Sequence, residues 1–209
     1  MTVSNAKFLC SSAELGQCPP AEIEGNPIVE VAFIGRSNVG KSSLINMLSH
    51  QKGLAKVSST PGKTKLINHF VMDNEWMLVD LPGYGYAKTS KKERKAFGEL
   101  ITAYVKGREE LYCLFVLVDA RLEPQRIDVE FMEMLGEEGV PFAIVFTKCD
   151  KLSKAQQSRA VEIYKKHLLK QWEEFPTYFL TSGETGLGEA ELVGFIESMV
   201  SDFSQECNE

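Results

Sequence analysis

The run Gly35-Arg-Ser-Asn-Val-Gly40-Lys41-Ser42 restricts this chain more than any other part of it. It fits the pattern G-x-x-x-x-G-K-[ST], and its flanks suit it. Ile28 to Ile34 is a β-branched run that reads as a strand, and Lys41 to His50 has the spacing of an amphipathic helix. A strand that turns through glycines straight into a helix leaves backbone N–H groups pointing inward, at the positive end of the helix dipole. Such a nest holds phosphate oxygens. Arg36, Ser37, Asn38, Val39 and Ser43 belong to the same predicted cradle. Lys41 supplies a point charge for the terminal phosphates of a nucleotide and is the first candidate catalytic group. Ser42 offers a small, hard oxygen suited to Mg²⁺.

The rest of the chain alternates. Further strands are predicted over 66–72, 75–80, 111–119, 141–147 and 177–181, and helices over 90–106, about 125–138, 153–174 and 187–203. Asp73-Asn74 joins two of the strands as a hairpin, and Ser153 with Gln156 forms a capping box. This pattern implies an α/β fold: a mostly parallel, six-stranded sheet with one antiparallel strand and helices on both faces. Residues 1–26 read as an N-terminal extension with room for one added strand, 27–203 as the domain, and 204–209 as an acidic tail.

Thr147-Lys-Cys-Asp150 follows the buried strand at 141–147, so it lies at the carboxyl edge of the sheet, where ligands bind in such folds. It fits [NT]-K-x-D. A carboxylate at Asp150 can accept both the N1–H and the N2–H₂ of guanine, a donor pair adenine lacks, and Lys148 can lay its apolar stem along the base. Thr181-Ser182-Gly183, after the last strand, stands where backbone N–H groups would meet the base.

Asp80-Leu81-Pro82-Gly83 ends another strand. Asp80 is placed to hold Mg²⁺ opposite Ser42, and the Gly83 N–H to bond a γ-phosphate, giving it a catalytic role. Between the first helix and the second strand lies Thr60-Pro-Gly62-Lys63-Thr64. Thr60 and Thr64 are both candidates to complete the metal shell; Thr64, which is also the candidate catalytic residue, is favoured because it follows Pro61-Gly62. Tyr84 stands where many GTPases carry a water-positioning glutamine, so slow hydrolysis is expected. Asn38 is a candidate to help hold potassium against the phosphates; a role in its own loop competes with that reading.

Composition excludes other classes. A net charge of -6 argues against a chain coated in basic charge for nucleic acid. Five cysteines without a C-x-x-C pair read as reduced thiols of a cytoplasmic protein, and no apolar run is long enough to span a bilayer. The histidines match no metal spacing. A nucleotide kinase would need a lid with catalytic arginines, and the T-K-x-D loop argues against it.

Together the phosphate loop at 35–42, Thr-Pro-Gly-Lys-Thr at 60–64, Asp-Leu-Pro-Gly-Tyr-Gly-Tyr-Ala at 80–87 and Thr-Lys-Cys-Asp at 147–150 resemble the EngB family (also called YihA or YsxC) of bacterial GTP-binding proteins, over roughly residues 5 to 200. The resemblance implies a Ras-like P-loop GTPase domain, GTP/GDP and Mg²⁺ as ligands, a role in assembling the large ribosomal subunit and a part in septum formation. It also marks Thr64 as the switch threonine. Gly183 departs from the pattern, where Ser or Ala is commoner.

Lys88, Lys91, Lys92, Arg94 and Lys95 fall within eight residues, directly after the second switch loop, with Glu93 the only acid among them. Basic charge at a helix start opposes the helix dipole, so a purely structural reason is weak. With the family likeness, this segment is the expected ribosomal RNA contact of a monomer. A binding module with negligible turnover is the alternative to a GTPase.

Overall fold

The computed structural model describes residues 3–56, 66–84 and 91–206, with the backbone alone over 91–97. Among the described residues nine strands form: β1 (Ala6–Ser12), β2 (Glu22–Ile23), β3 (Asn26–Pro27), β4 (Val29–Gly35), β5 (Ile67–Met72), β6 (Trp76–Asp80), β7 (Leu111–Asp119), β8 (Phe142–Thr147) and β9 (Tyr178–Leu180). The helices are α1 (Lys41–Leu48), α2 (Lys91–Gly107), α3 (Arg126–Glu137), α4 (Lys154–Leu168) and α5 (Glu189–Glu206).

The main sheet has seven strands in the order β1-β5-β6-β4-β7-β8-β9, while β2 and β3 make a separate small hairpin. β4 pairs in parallel with both β6 and β7, β7 with β8, and β8 with β9. β5 pairs antiparallel with both its neighbours, so it is the one strand that runs against the rest. The predicted count of six becomes seven because β1, from the N-terminal extension, covers the outer edge of β5. The turn between β5 and β6 holds it there: the Asp73 carboxylate accepts from the backbone N–H of Ser4 at 2.9 Å and of Asn5 at 2.7 Å.

Central strands buried on both faces read as unbroken apolar runs, and alternate residues serve different cores. Ala32 and Ile34 of β4 pack with α2, α3 and α4, whereas Val31 and Phe33 pack with α1 and α5. The capping box of α4 is present, with Ser153 Oγ accepting from Gln156 N–H and Gln156 Oε1 accepting from Ser153 N–H. The helix stops at Leu168 rather than at the expected 174. Trp172 leaves the helical path to pack beside Gly136 of α3 and edge-on to Phe142, with ring centroids 5.6 Å apart.

At the amino end of β4, Glu30 is fully buried. Arg108, just past α2, grips it with Nε at 3.0 Å and Nη2 at 2.7 Å, and the Tyr104 hydroxyl donates to the same carboxylate. This network fastens α2 to the central strand.

Candidate nucleotide-binding site

The site stands at the carboxyl ends of β4, β6, β7 and β8. Gly35 must be glycine, since a Cβ would lie 2.7 Å from the Leu117 carbonyl. Gly40 takes φ 110, and Asn38 takes φ 63, a left-handed conformation asparagine tolerates. The loop closes with Val39 N–H on the Arg36 carbonyl at 3.1 Å, and α1 begins at Lys41.

Inside this curl the Lys41 ammonium meets the Asp80 carboxylate at the end of β6. Burial pushes Lys41 down to about 7. A desolvated ammonium is a site for an anion, and Asp80 is the anion this chain itself supplies. Asn68 of β5, paired in register with Asp80, donates to its second oxygen at 3.4 Å. Ser42 follows Lys41 on the first turn of α1, and Ser43 follows it.

Leu81 to Tyr84 run along the phosphate loop. Leu81 N–H bonds the Phe33 carbonyl at 3.0 Å, Tyr84 N–H that of Gly35 at 3.1 Å, and Ser37 N–H that of Tyr84 at 3.1 Å. Gly83 lies so close that a Cβ would come within 2.9 Å of the Gly35 carbonyl. Tyr84 itself is buried, its ring 5.2 Å from that of Phe131 in α3. Burial, then the neighbouring Asp128 carboxylate, pushes its phenol well above the ordinary value. A buried ring cannot orient a water at the phosphates as a glutamine does. The Arg36 side chain is likewise drawn to α3, its Nε 3.0 Å from the fully buried Asp128. Of the predicted cradle, Arg36 therefore contributes backbone rather than its guanidinium.

The base-side loops are fastened to the phosphate loop. Thr147 Oγ1 donates to the Val39 carbonyl at 2.6 Å, and Lys148 Nζ to the Asn38 carbonyl at 2.7 Å. Asp150 is half-buried; it accepts from Ser182 Oγ at 2.6 Å and pairs with Lys151 at 2.8 Å. Cys149 N–H bonds the Thr181 carbonyl at 3.0 Å, which brings Thr181, Ser182 and Gly183 beside Asp150. At Gly183 a Cβ would meet the Ser43 carbonyl carbon at 2.7 Å and Leu44 N at 2.9 Å. The glycine noted as a departure thus lets this loop rest on the first turn of α1.

Three contributors carry no motif. Asp119, at the end of β7, accepts from Lys148 Nζ at 3.0 Å and from Arg121 Nη2 at 2.8 Å. Burial works to raise its pKa, but those hydrogen bonds outweigh it and hold the carboxyl at about 2. Asn68 supports Asp80, and Lys151 bridges Asp150 and Glu184, the latter at 2.7 Å. Asp119 was findable by the rule that located Asp80 and Thr147, since it ends a buried strand at the ligand edge. A cleft of about 230 Å³ opens there, lined by the phosphate loop, Asp119, Arg121, Leu122 and Lys148.

Gly62, Lys63 and Thr64 lie outside the described residues, as does Lys88; the side chains of Lys91, Lys92, Arg94 and Lys95 lie outside them too. Among the described residues no three His, Cys, Asp or Glu side chains could hold a metal together. Cys113 and Cys149 are free, and burial pushes their thiols up to about 12 and about 11.

A family described as "50S ribosome-binding GTPase" matches residues 30–148. A protein of Bacteroides fragilis named "Probable GTP-binding protein EngB" is 52% identical over 206 residues, covering 99% of this chain and 100% of that one. One of the same name from Christiangramia forsetii is 51% identical over 199 residues, covering 95% and 98%. A crystal structure described as a probable GTP-binding protein engB superposes with a TM-score of 0.69 at 22% identity, covering 83% of this chain and all of that one, and so shares the fold. With half the residues identical across nearly the whole of both chains, the chain belongs to the EngB family of GTP-binding proteins, as a GTPase.

Proposed function

We propose that this chain is a Mg²⁺-dependent guanine-nucleotide switch, a cytoplasmic monomer that hydrolyses GTP slowly and acts in assembly of the large ribosomal subunit, with consequences for septum formation and cell division. One observation carries the nucleotide part: Thr147 and Lys148 are bonded to the phosphate-loop carbonyls of Val39 and Asn38, which sets Asp150 at a fixed reach from Lys41. Phosphate and base are then read by one rigid unit. Ser42 and Asp80 would hold Mg²⁺, with Thr64 as the remaining expected ligand. The ion would neutralise charge on the β- and γ-phosphates. Lys41 would share that task, and the Gly83 N–H would donate to the γ-phosphate; the closeness of Gly83 to the phosphate loop supports this. Slow turnover is supported by the burial of Tyr84. The ribosomal role is supported by the family's description, and by the cations at Lys88, Lys91, Lys92, Arg94 and Lys95. The absence among the described residues of any helix long and apolar enough to cross a membrane is compatible with a cytoplasmic site.

Calorimetry with GTP and ATP, repeated on Asp150→Asn, tests the base reading. GTP binds far more tightly than ATP to the natural chain, and the variant exchanges GTP for XTP, because an amide presents a donor where the carboxylate accepted. Equal affinity for both purines removes the proposal. Tyr84 also favours a second reading, a GTP sensor with negligible turnover. Single-turnover hydrolysis with and without large subunits separates the two, and running it in potassium and in sodium tests Asn38. Equal rates in the two salts leave that residue a backbone role alone.

A further inference from the structure

The outer face of α4 is basic in a chain of net charge -6. Lys154, Arg159, Lys165, Lys166 and Lys170 lie on or just past the helix, all exposed, with Glu162 the one carboxylate on it. None of the five is in an ion pair among the described residues. Arg159 and Lys166 are seven residues apart, nearly two full turns, so they share one line down the helix about 10 Å apart, and Lys170 lies in the turn just past its end. Favourable interaction with the helix dipole accounts for Lys165 and Lys166 in the last turn but not for Arg159 at mid-helix or Lys154 at the start.

A second feature lies at the same edge of the molecule. Tyr178 on the short edge strand β9 is 44% exposed. Its ring packs on Phe146 at 6.1 Å and Phe175 at 5.7 Å, and Phe146 in turn meets Tyr164 of α4 at 5.1 Å. An exposed aromatic ring braced from behind on the strand side of α4, and a line of unpaired cations on the outer face of that helix, are the two elements that take an unstacked base and its phosphates.

We propose that the outer face of α4 with Tyr178 is a docking surface for RNA, the backbone running along Arg159, Lys166 and Lys170 and an unpaired base resting on Tyr178. The inference rests on the ribosomal reading above and adds a surface to it. In the sheet order, β8 and β9 lie on the far side of β4 from β6, whose end carries Asp80. The α4 contact is therefore independent of which nucleotide is bound, whereas one through residues 88–95 would follow the γ-phosphate.

The test uses the full chain with R159E/K166E/K170E and, separately, Tyr178→Ala. Binding is measured to purified large ribosomal subunits and to a single-stranded oligoribonucleotide, in GTP and in GDP, across a salt series. The triple variant is expected to bind both targets roughly tenfold or more weakly at low salt, equally in both nucleotide states. Its slope of log affinity against log salt should fall by about 2, from about 0.7 for each of three phosphates. Tyr178→Ala weakens binding with the slope unchanged, because stacking releases no counterions. GTP affinity stays at the natural value in both, which shows the fold intact. Unchanged affinity and slope in the triple variant, with the natural chain binding well, overturns the inference. A loss for subunits but not for the oligoribonucleotide also overturns it, in favour of an acidic protein surface. If the natural chain binds no subunits, the ribosomal reading fails instead, and the oligoribonucleotide still decides whether α4 takes RNA.

Discussion

Asp119 illustrates how a residue without a motif governs residues that have one. It is the counter-ion that holds Lys148 beside the phosphate loop and Arg121 at the cleft. Asn at this position keeps the shape and removes the charge, leaving two cations without their counter-charge. Since a hydrogen bond to a charged group contributes about 1.5–3 kcal/mol, Asp119→Asn is expected to weaken GTP binding by roughly tenfold or more by calorimetry. An unaltered affinity would make Asp119 a bystander. His69 on β5 makes a different kind of prediction. It is fully buried, with Nε2 unpartnered among the described residues. Burial first, then the Arg108 charge, lowers its pKa to about 4. In the unfolded chain a histidine ionises at about 6.5, so there it binds its proton more readily. The stability at stake is present above pH about 6.5 and is lost as pH falls towards 4, by at most about 3 kcal/mol. Urea unfolding across that window should show the loss, and His69→Leu should flatten it. A variant that keeps the full slope would assign the acid sensitivity elsewhere.

Between elements, the same contrast of charge and burial fastens α2. The carboxylate of Glu30 on β4 is closed over by Arg108 and Tyr104, and removing one partner of a buried ion pair typically costs about 3–5 kcal/mol. Arg108→Met should therefore destabilise the fold by about that much in denaturant titration, and adding Glu30→Leu should restore part of the loss, since no buried charge then remains. Equal destabilisation in the single and double variants would mean that packing of α2, and not the charge, is what the pair secures. The lengths of elements follow the same logic of long-range partners. Helical periodicity carries on to 174, but α4 ends at Leu168 because Trp172 finds a better surface at Gly136 and Phe142. The N-terminal run shows little periodicity, yet β1 forms because β5 presents an open edge and Asp73 caps the incoming backbone.

For the molecule as a whole, the sheet sorts its helices, α1 and α5 on one face and α2, α3 and α4 on the other, and delivers every predicted ligand group in the described residues to one edge. That Gly35, Gly40, Lys41, Asp80, Thr147 and Asp150 stand at strand ends or at the start of α1 was legible from order and spacing alone. Their chemistry is set by a ligand that tolerates few residue types, and the motifs sit directly on strand ends that apolar runs reveal. The alternation of strands and helices, the mostly parallel sheet and the one antiparallel strand were legible for a similar reason: periodicity is a local property, written in each segment. Other features depend on which surfaces meet once the sheet is in register. The counter-ion of Lys41, the burial of Tyr84 against Phe131, the turn of Arg36 towards Asp128 and the seating of Gly183 on α1 join residues far apart in the chain. Spacing says nothing about such partners, because a side chain's environment is made by the neighbours that packing supplies, and those exist only after the strands have paired.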